Sequence, residues 1–194
     1  MIKTIYFATG NPRKVLSLKK ALSDLPIDII QYTGELLEPQ KDNIKEVALS
    51  KARQAFSVLK DSVIVNDGGL VIPSLNGFPG PYTKYIDNTI GNRGIIKLLS
   101  NVLNREAYTT QAMVYIDKHG NEHIFEDQVY GTIAFEEDMT QNPRAWGNIW
   151  RIFIPKGANV PLASLPENIY KNLRITAQTS SVWSELHNIL SKEI

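Results

Sequence analysis

The sequence predicts an α/β fold. Three observations carry that prediction. The chain opens with a short apolar run, a glycine turn and an amphipathic segment at helical spacing. A second amphipathic segment leads into Val63-Ile64-Val65, a β-branched run typical of a buried central strand. Two later strand-like runs flank a turn, as the arms of a hairpin do. Helices placed between the early strands give layers of helix on sheet.

The elements follow in order. Lys3–Ala8 reads as a buried strand, and Thr9-Gly10-Asn11 breaks it. Asn11 is a favourable N-cap, and Pro12 falls at the first helical position, where its missing N–H is not needed. Val15, Leu18, Leu22 and Leu25 continue at helical spacing. A second helix is expected from about 44 to 59, with Val47, Ala48, Ala52, Ala55, Val58 and Leu59 on its apolar face. The strand at 63–65 is expected to end at Asn66-Asp67-Gly68-Gly69. Next come 70–75 and a Gly/Pro-rich loop, Asn76 to Pro81. Residues 94–103 look helical through Ile95, Ile96, Leu98, Leu99, Val102 and Leu103. Strands are expected at 108–117 and 122–130 around Lys118-His119-Gly120-Asn121. A long polar loop is expected at 135–145, a strand at 150–154 and a final helix at 180–191. That helix carries Val182, Trp183, Leu186, Ile189 and Leu190 on one face.

Composition narrows the chemistry. A chain of 194 residues suits one large domain or two intimate lobes, and it is read here as a single domain over 1–194. The net charge of +1 argues against a broad basic face for nucleic acid or an anionic membrane, yet leaves room for a local cationic cluster. The absence of cysteine removes disulfides, thiol catalysis and zinc-thiolate sites. No apolar run is long enough for a signal peptide or a membrane span, so the expected compartment is the cytoplasm.

Four segments could carry chemistry, and each admits a plainer reading. Thr9-Gly10-Asn11 and Lys14 suit a phosphate: the turn admits close approach, and a helix start offers N–H donors. The alternative is a capped turn with a solvated lysine. Glu46 could hold a metal ion. Equally, Asn43 to Glu46 fits a capping box in which Glu46 bonds back to the backbone. Asp67 stands at the end of the β-branched run, where open α/β sheets place ligands. A carboxylate there could bind Mg²⁺ or activate water, or it could merely cap its own turn. Pro79 to Lys84 is a rigid loop followed by a cation that could close over an anion, or a turn with an exposed lysine. Trp146 and Trp150 could stack on a base or pack in a core. His119, His123 and His187 read as structural or solvated.

In this order the segments resemble the inosine/xanthosine triphosphate pyrophosphatase family of noncanonical purine nucleotide enzymes. The family's T-G-N-x-x-K turn matches Thr9-Gly10-Asn11-Pro12-Arg13-Lys14. Its helix with Glu and, five residues on, Lys-Ala matches Glu46 and Lys51-Ala52. Its D-D-S-G-L matches Asn66-Asp67-Gly68-Gly69-Leu70. Its L-x-G-x-P-G-x-Y matches Leu75 to Tyr82, with Lys84 two residues beyond. The resemblance implies an elongated mixed sheet with flanking helices, two lobes and a cleft. It also implies a homodimer, Mg²⁺, and hydrolysis of a nucleoside triphosphate to the monophosphate and pyrophosphate. On that basis Thr9, Gly10, Asn11, Lys14, Lys51, Gly68 and Lys84 bind substrate. Glu46 and Asp67 hold the metal, and Asp67 also helps to activate water.

The chain departs from the family at definite places. Asn66 replaces the first acid of the pair, and Gly68 replaces the serine. The base-pocket segment, at about 147–153, has no Asp. The S-H-R expected within 173–179 has no His, and spacing does not assign Arg151 or Arg174 to its role. The phosphate half is kept and the purine-reading half is changed, which implies altered or relaxed base selectivity. A catalytically impaired nucleotide-binding or interaction protein on the same fold is the rival expectation. A nucleic-acid-binding module finds no basic-aromatic stripe to support it.

Overall fold

The computed structural model describes residues 2–176 and 181–194, with residues 174–176 described by backbone only. Most of the expected S-H-R position, including the Arg174 side chain, lies outside the described residues.

Strand β1 (Lys3–Ala8) leads through the Thr9–Asn11 turn into helix α1 (Pro12–Ala21). Strand β2 (Ile27–Tyr32) was not anticipated. Only Ile29 of its six residues is buried, so the run carries little of the apolar signal of a central strand. Helix α2 (Ile44–Leu59) has the expected bounds, and strand β3 (Val63–Val71) follows. The expected break at Asn66–Gly69 does not occur. β3 runs through both glycines for nine residues, and a short strand β4 (Pro79–Gly80) pairs with its far end. Asp67 is therefore a strand residue, and the self-capping turn reading is set aside.

Helix α3 (Thr83–Asn88) and helix α4 (Gly91–Leu98) come next. The sequence suggested 94–103, but the helix starts earlier and ends at Leu98; Leu103 is fully exposed. Strand β5 (Glu106–Ile116) and strand β6 (Glu122–Ile133) are the expected hairpin, extended at both outer ends. Asp117 Oδ1 closes its turn by accepting from the N–H groups of His119 and Asn121. The stretch read as a strand at 150–154 is a 3-10 turn, Asn148–Arg151, followed by strand β7 (Phe153–Pro155). Helix α5 (Glu167–Thr176) was missed, and helix α6 (Val182–Leu190) is capped by Ser181.

The seven strands form one mixed sheet, ordered β2-β1-β3-β5-β6-β7 with β4 on β3. β1 pairs in parallel with both β2 and β3, whereas β6 and β7 are antiparallel. The chain divides into two compact units. The first holds Met1–Asp67, Gln111–Asp127 and Ser180–Ile194; the second holds Gly68–Thr110 and Gln128–Thr179.

In the first unit, α1 links β1 to β2 and α2 links β2 to β3. The two links travel in opposite directions across β1, so the helices cover opposite faces. The cores bear this out. Ile5, Phe7 and Ile64 pack with Val15 and Leu18 of α1 and Leu186 of α6. Ala8, Val63 and Val65 pack with Ala48, Ala52 and Ala55 of α2. Val58, expected on that face, is exposed. The second unit is built on Leu70, Ile95, Leu99, Ile152 and Phe153. Among the described residues, no helix is long and apolar enough to cross a membrane.

Candidate active site

The order β2-β1-β3 makes the carboxyl end of β1, beside the Asn66–Asp67 stretch within β3, a topological switch point. Such a point is the crevice in which open α/β sheets usually take their ligands. β1 pairs with β3 only through Tyr6–Val63 and Phe7–Ile64, so Asn66 and Asp67 lie beyond the paired stretch. Successive strand side chains alternate between faces. Asp67 follows Val63 and Val65 to the α2 side, and Asn66 follows Ile64 to the α1 side.

On the α2 side, Lys51 Nζ donates to Asp67 Oδ1 at 2.9 Å and lies 3.6 Å from Glu38 Oε1. Lys51 stands seven residues after Ile44 and three after Ala48, so helical periodicity puts its stem on the buried face of α2. Burial opposes its charge. Asp67 first, and Glu38 second, more than offset that and raise its pKa above the ordinary lysine value. Asp67 Oδ2 is buried and has no hydrogen-bond partner. Glu38 is a member of this cluster that the sequence reading missed. It lies in an irregular segment, and no spacing links it to α2.

On the α1 side, Lys14 Nζ donates to the main-chain oxygen of Asn66 at 2.7 Å. The expected cap is present: Asn11 Oδ1 accepts from the N–H of Arg13 at 3.0 Å, and Thr9 Oγ1 accepts from the N–H of Asn11 at 3.1 Å. The first turn of α1 thus meets much of its own donor demand, and Pro12 has no N–H to offer. Gly10 is different. A Cβ added there would meet nothing within 4 Å, so the fold itself does not require glycine. Open space above a helix start is what a ligand's close approach requires.

The structure joins Lys51 to Asp67, and Lys14 to Asn66. It does not join Glu46 to either pair. Glu46 is half exposed and faces Lys41 at 3.3 Å. Nor does it complete the capping box: Asn43 Oδ1 caps α2 through the N–H of Lys45 at 2.8 Å. Gly68 and Lys84 belong to the second unit. Gly68 is an exposed residue of β3, and Lys84 is exposed on α3 with no ion-pair partner among the described residues. Beside it, Thr83 Oγ1 accepts from the N–H of Leu70 and donates to the oxygen of Gly80, fixing the Pro79–Lys84 turn.

Oxygen donors suit a hard divalent cation. The free, buried Oδ2 of Asp67 is such a donor, and the exposed Glu46 side chain is a second with no buried constraint on it. A separate group, Asp117, His123 and Glu193, brings three potential ligand atoms within 4.8 Å of one another. Its carboxylates have structural partners: Asp117 closes the hairpin turn, and Glu193 Oε2 accepts from Tyr115. His123 stacks on Tyr115 at 5.6 Å, and His187 meets Asp24 at 2.9 Å, so both are structural. Trp150 packs in the second core, 6.5 Å from Tyr170.

Fold and site together define an open α/β protein with cations and a carboxylate gathered at its switch point. The chain matches the Ham1 family over residues 5–177, and it belongs to that family. It is 37% identical over 153 residues to a dITP/XTP pyrophosphatase of Korarchaeum cryptofilum, which spans 79% of each chain. It is 35% identical over 182 residues to one of Methanopyrus kandleri, spanning 92% of each. Among solved structures, a HAM1 protein from Coxiella burnetii has the same fold. Its TM-score is 0.82 at 20% identity, over 98% of this chain and 99% of that one. The Staphylococcus aureus Ham1 protein gives 0.77 at 21%, over 99% and 100%.

Proposed function

We propose that the protein is a nucleoside triphosphate pyrophosphatase acting on noncanonical purine nucleotides, with Mg²⁺ as cofactor and altered or relaxed base selectivity. The observation that carries this reading is the Lys51–Asp67 pair in the crevice, with the second oxygen of Asp67 buried and free. The dITP/XTP pyrophosphatase relatives support it.

Water attacks the α-phosphorus, a new oxygen–phosphorus bond forms, and the bond to the β-phosphate oxygen breaks. Pyrophosphate leaves with the electron pair. Asp67 accepts the proton of the attacking water at its carboxylate. Lys14, Lys51 and Lys84 neutralise phosphate charge, and Thr9, Gly10, Asn11 and Gly68 line the phosphate tail. Lys51 has a second task. Its hydrogen bond to Oδ1 orients the Asp67 carboxylate and leaves Oδ2 for the proton. Asp67 and Glu46 would hold Mg²⁺, which supplies charge neutralisation at the phosphates. A homodimer in the cytoplasm is part of the same proposal.

The test is a panel of canonical and modified triphosphates with Mg²⁺ and product identification. Monophosphate plus pyrophosphate from dITP or XTP is expected. No pyrophosphate from any member of the panel would overturn the reading. One observation favours a rival, a nucleotide-binding protein without turnover: the uncharged Asn66 beside Asp67. Binding of triphosphates with no release would select it.

A further inference from the structure

We propose that Gln111 is a phosphate-binding residue of the crevice, and that Asn66 is the positioning residue that turns its donor outward. The proposal rests on the pyrophosphatase reading for its substrate, but its geometry stands by itself.

Asn66 is 3% exposed and lies between the two groups concerned. Its main-chain oxygen holds Lys14 Nζ at 2.7 Å. Its Nδ2 donates to Gln111 Oε1 at 3.3 Å and to the main-chain oxygen of Ala112 at 3.5 Å. The Ala112 oxygen can only accept, so the Asn66 amide nitrogen must face β5, and Oδ1 is left buried without a partner. An amide nitrogen facing Gln111 fixes that side chain in turn. Gln111 presents Oε1 inward, and its Nε2 must then point the other way. Gln111 is half-buried, and among the described residues its Nε2 has no hydrogen-bond partner.

Two donors therefore have Asn66 as their common support: the ammonium of Lys14 and the carboxamide N–H₂ of Gln111. Phosphate oxygens are acceptors at neutral pH, so this set matches a phosphate group of the triphosphate and of the pyrophosphate product. The same geometry gives a reason for an amide at position 66. An aspartate there would offer only acceptors to Gln111. The glutamine amide would turn its N–H₂ inward to meet them, and the outward donor would be lost.

The experiment measures binding of inorganic pyrophosphate by calorimetry, with nucleotide KM and kcat beside it. Gln111→Met keeps size and removes the donor. Pyrophosphate affinity and nucleotide KM are expected to worsen about tenfold or more, the scale of one hydrogen bond to a charged group. The kcat is expected to stay within about threefold, since uniform binding is what was removed. Asn66→Leu releases Gln111 and should weaken pyrophosphate binding severalfold in the wild-type background, but not in the Gln111→Met background. A purely structural role for Asn66 would give the same loss in both. Thermal melts check that each variant folds, and Gln111→Met, at a half-buried position, carries the test if Asn66→Leu does not.

Gln111→Met binding pyrophosphate within twofold of wild type overturns the proposal, as does a wild-type protein that does not bind pyrophosphate. A wild type that binds pyrophosphate with the expected Gln111 dependence, yet hydrolyses no triphosphate, leaves this subsite standing and removes the enzymatic reading instead.

Discussion

Lys51 sets the electrostatics of the crevice. Its raised pKa means that the folded state holds its proton more tightly than the unfolded chain does. The stabilisation is fully present below the unfolded lysine value and is lost as pH rises through the higher folded value. Lys51→Met leaves the Asp67 carboxylate largely buried and unpaired, and a loss of about 1–3 kcal/mol is expected at neutral pH. Denaturant titrations of both proteins should show that gap closing only at strongly alkaline pH. A gap independent of pH would assign it to packing. Asp67→Asn removes the proton acceptor while keeping the shape and one oxygen. Turnover, read as pyrophosphate release, is expected to fall more than tenfold; near-full activity would take Asp67 out of the mechanism.

Among the elements, α2 shows how a cap and a site diverge. Asn43 caps the helix through Lys45, which leaves the Glu46 carboxylate outside the cap. Asn43→Ala should lower stability by about 1 kcal/mol in a denaturant titration, while pyrophosphate release per folded molecule is retained. Just before β5, Arg105 is 6% exposed and its guanidinium donates to the main-chain oxygens of Leu99, Ile133 and Ala134. Burial lowers its pKa, and each of its three nitrogens donates to one of the carbonyls. It ties the end of α4 to the end of β6 within the second unit. Arg105→Met strands three buried carbonyls, and a loss of about 2–4 kcal/mol is expected from the midpoint of chemical unfolding. A change below the error of that midpoint would make the carbonyls solvated in solution.

For the molecule as a whole, the near-neutral charge is uninformative until the fold sorts it. The sheet order draws Lys14 and Lys51 from helices on opposite faces to the Asn66–Asp67 stretch of β3, with Glu38 beside it. The proposed metal dependence belongs to this scale. Chelation of divalent cations should abolish pyrophosphate release and leave the melting temperature nearly unchanged, because the cores consist of apolar contacts rather than ligand bonds. Unfolding on chelation would mean that the cation is structural.

The first turn, α2 and the hairpin were legible in the sequence because their signals are local. Asn11-Pro12 marks a helix start, helical spacing marks the inner face of α2, and a turn between two strand-like runs marks β5 and β6. The phosphate-like turn and Asp67 were legible for the same reason. Glu38 and Gln111 were not. Each joins the crevice through a partner far along the chain, Lys51 for one and Asn66 for the other, and spacing within a single element cannot report such a contact. The course of β3 was misread because Asn-Asp-Gly-Gly has the composition of a turn. Pairing with β4 and burial of Leu70 hold it extended, and tertiary context overrides that local preference. Local chemistry chose the residues along the strands and turns. The order of the strands decided which of them meet.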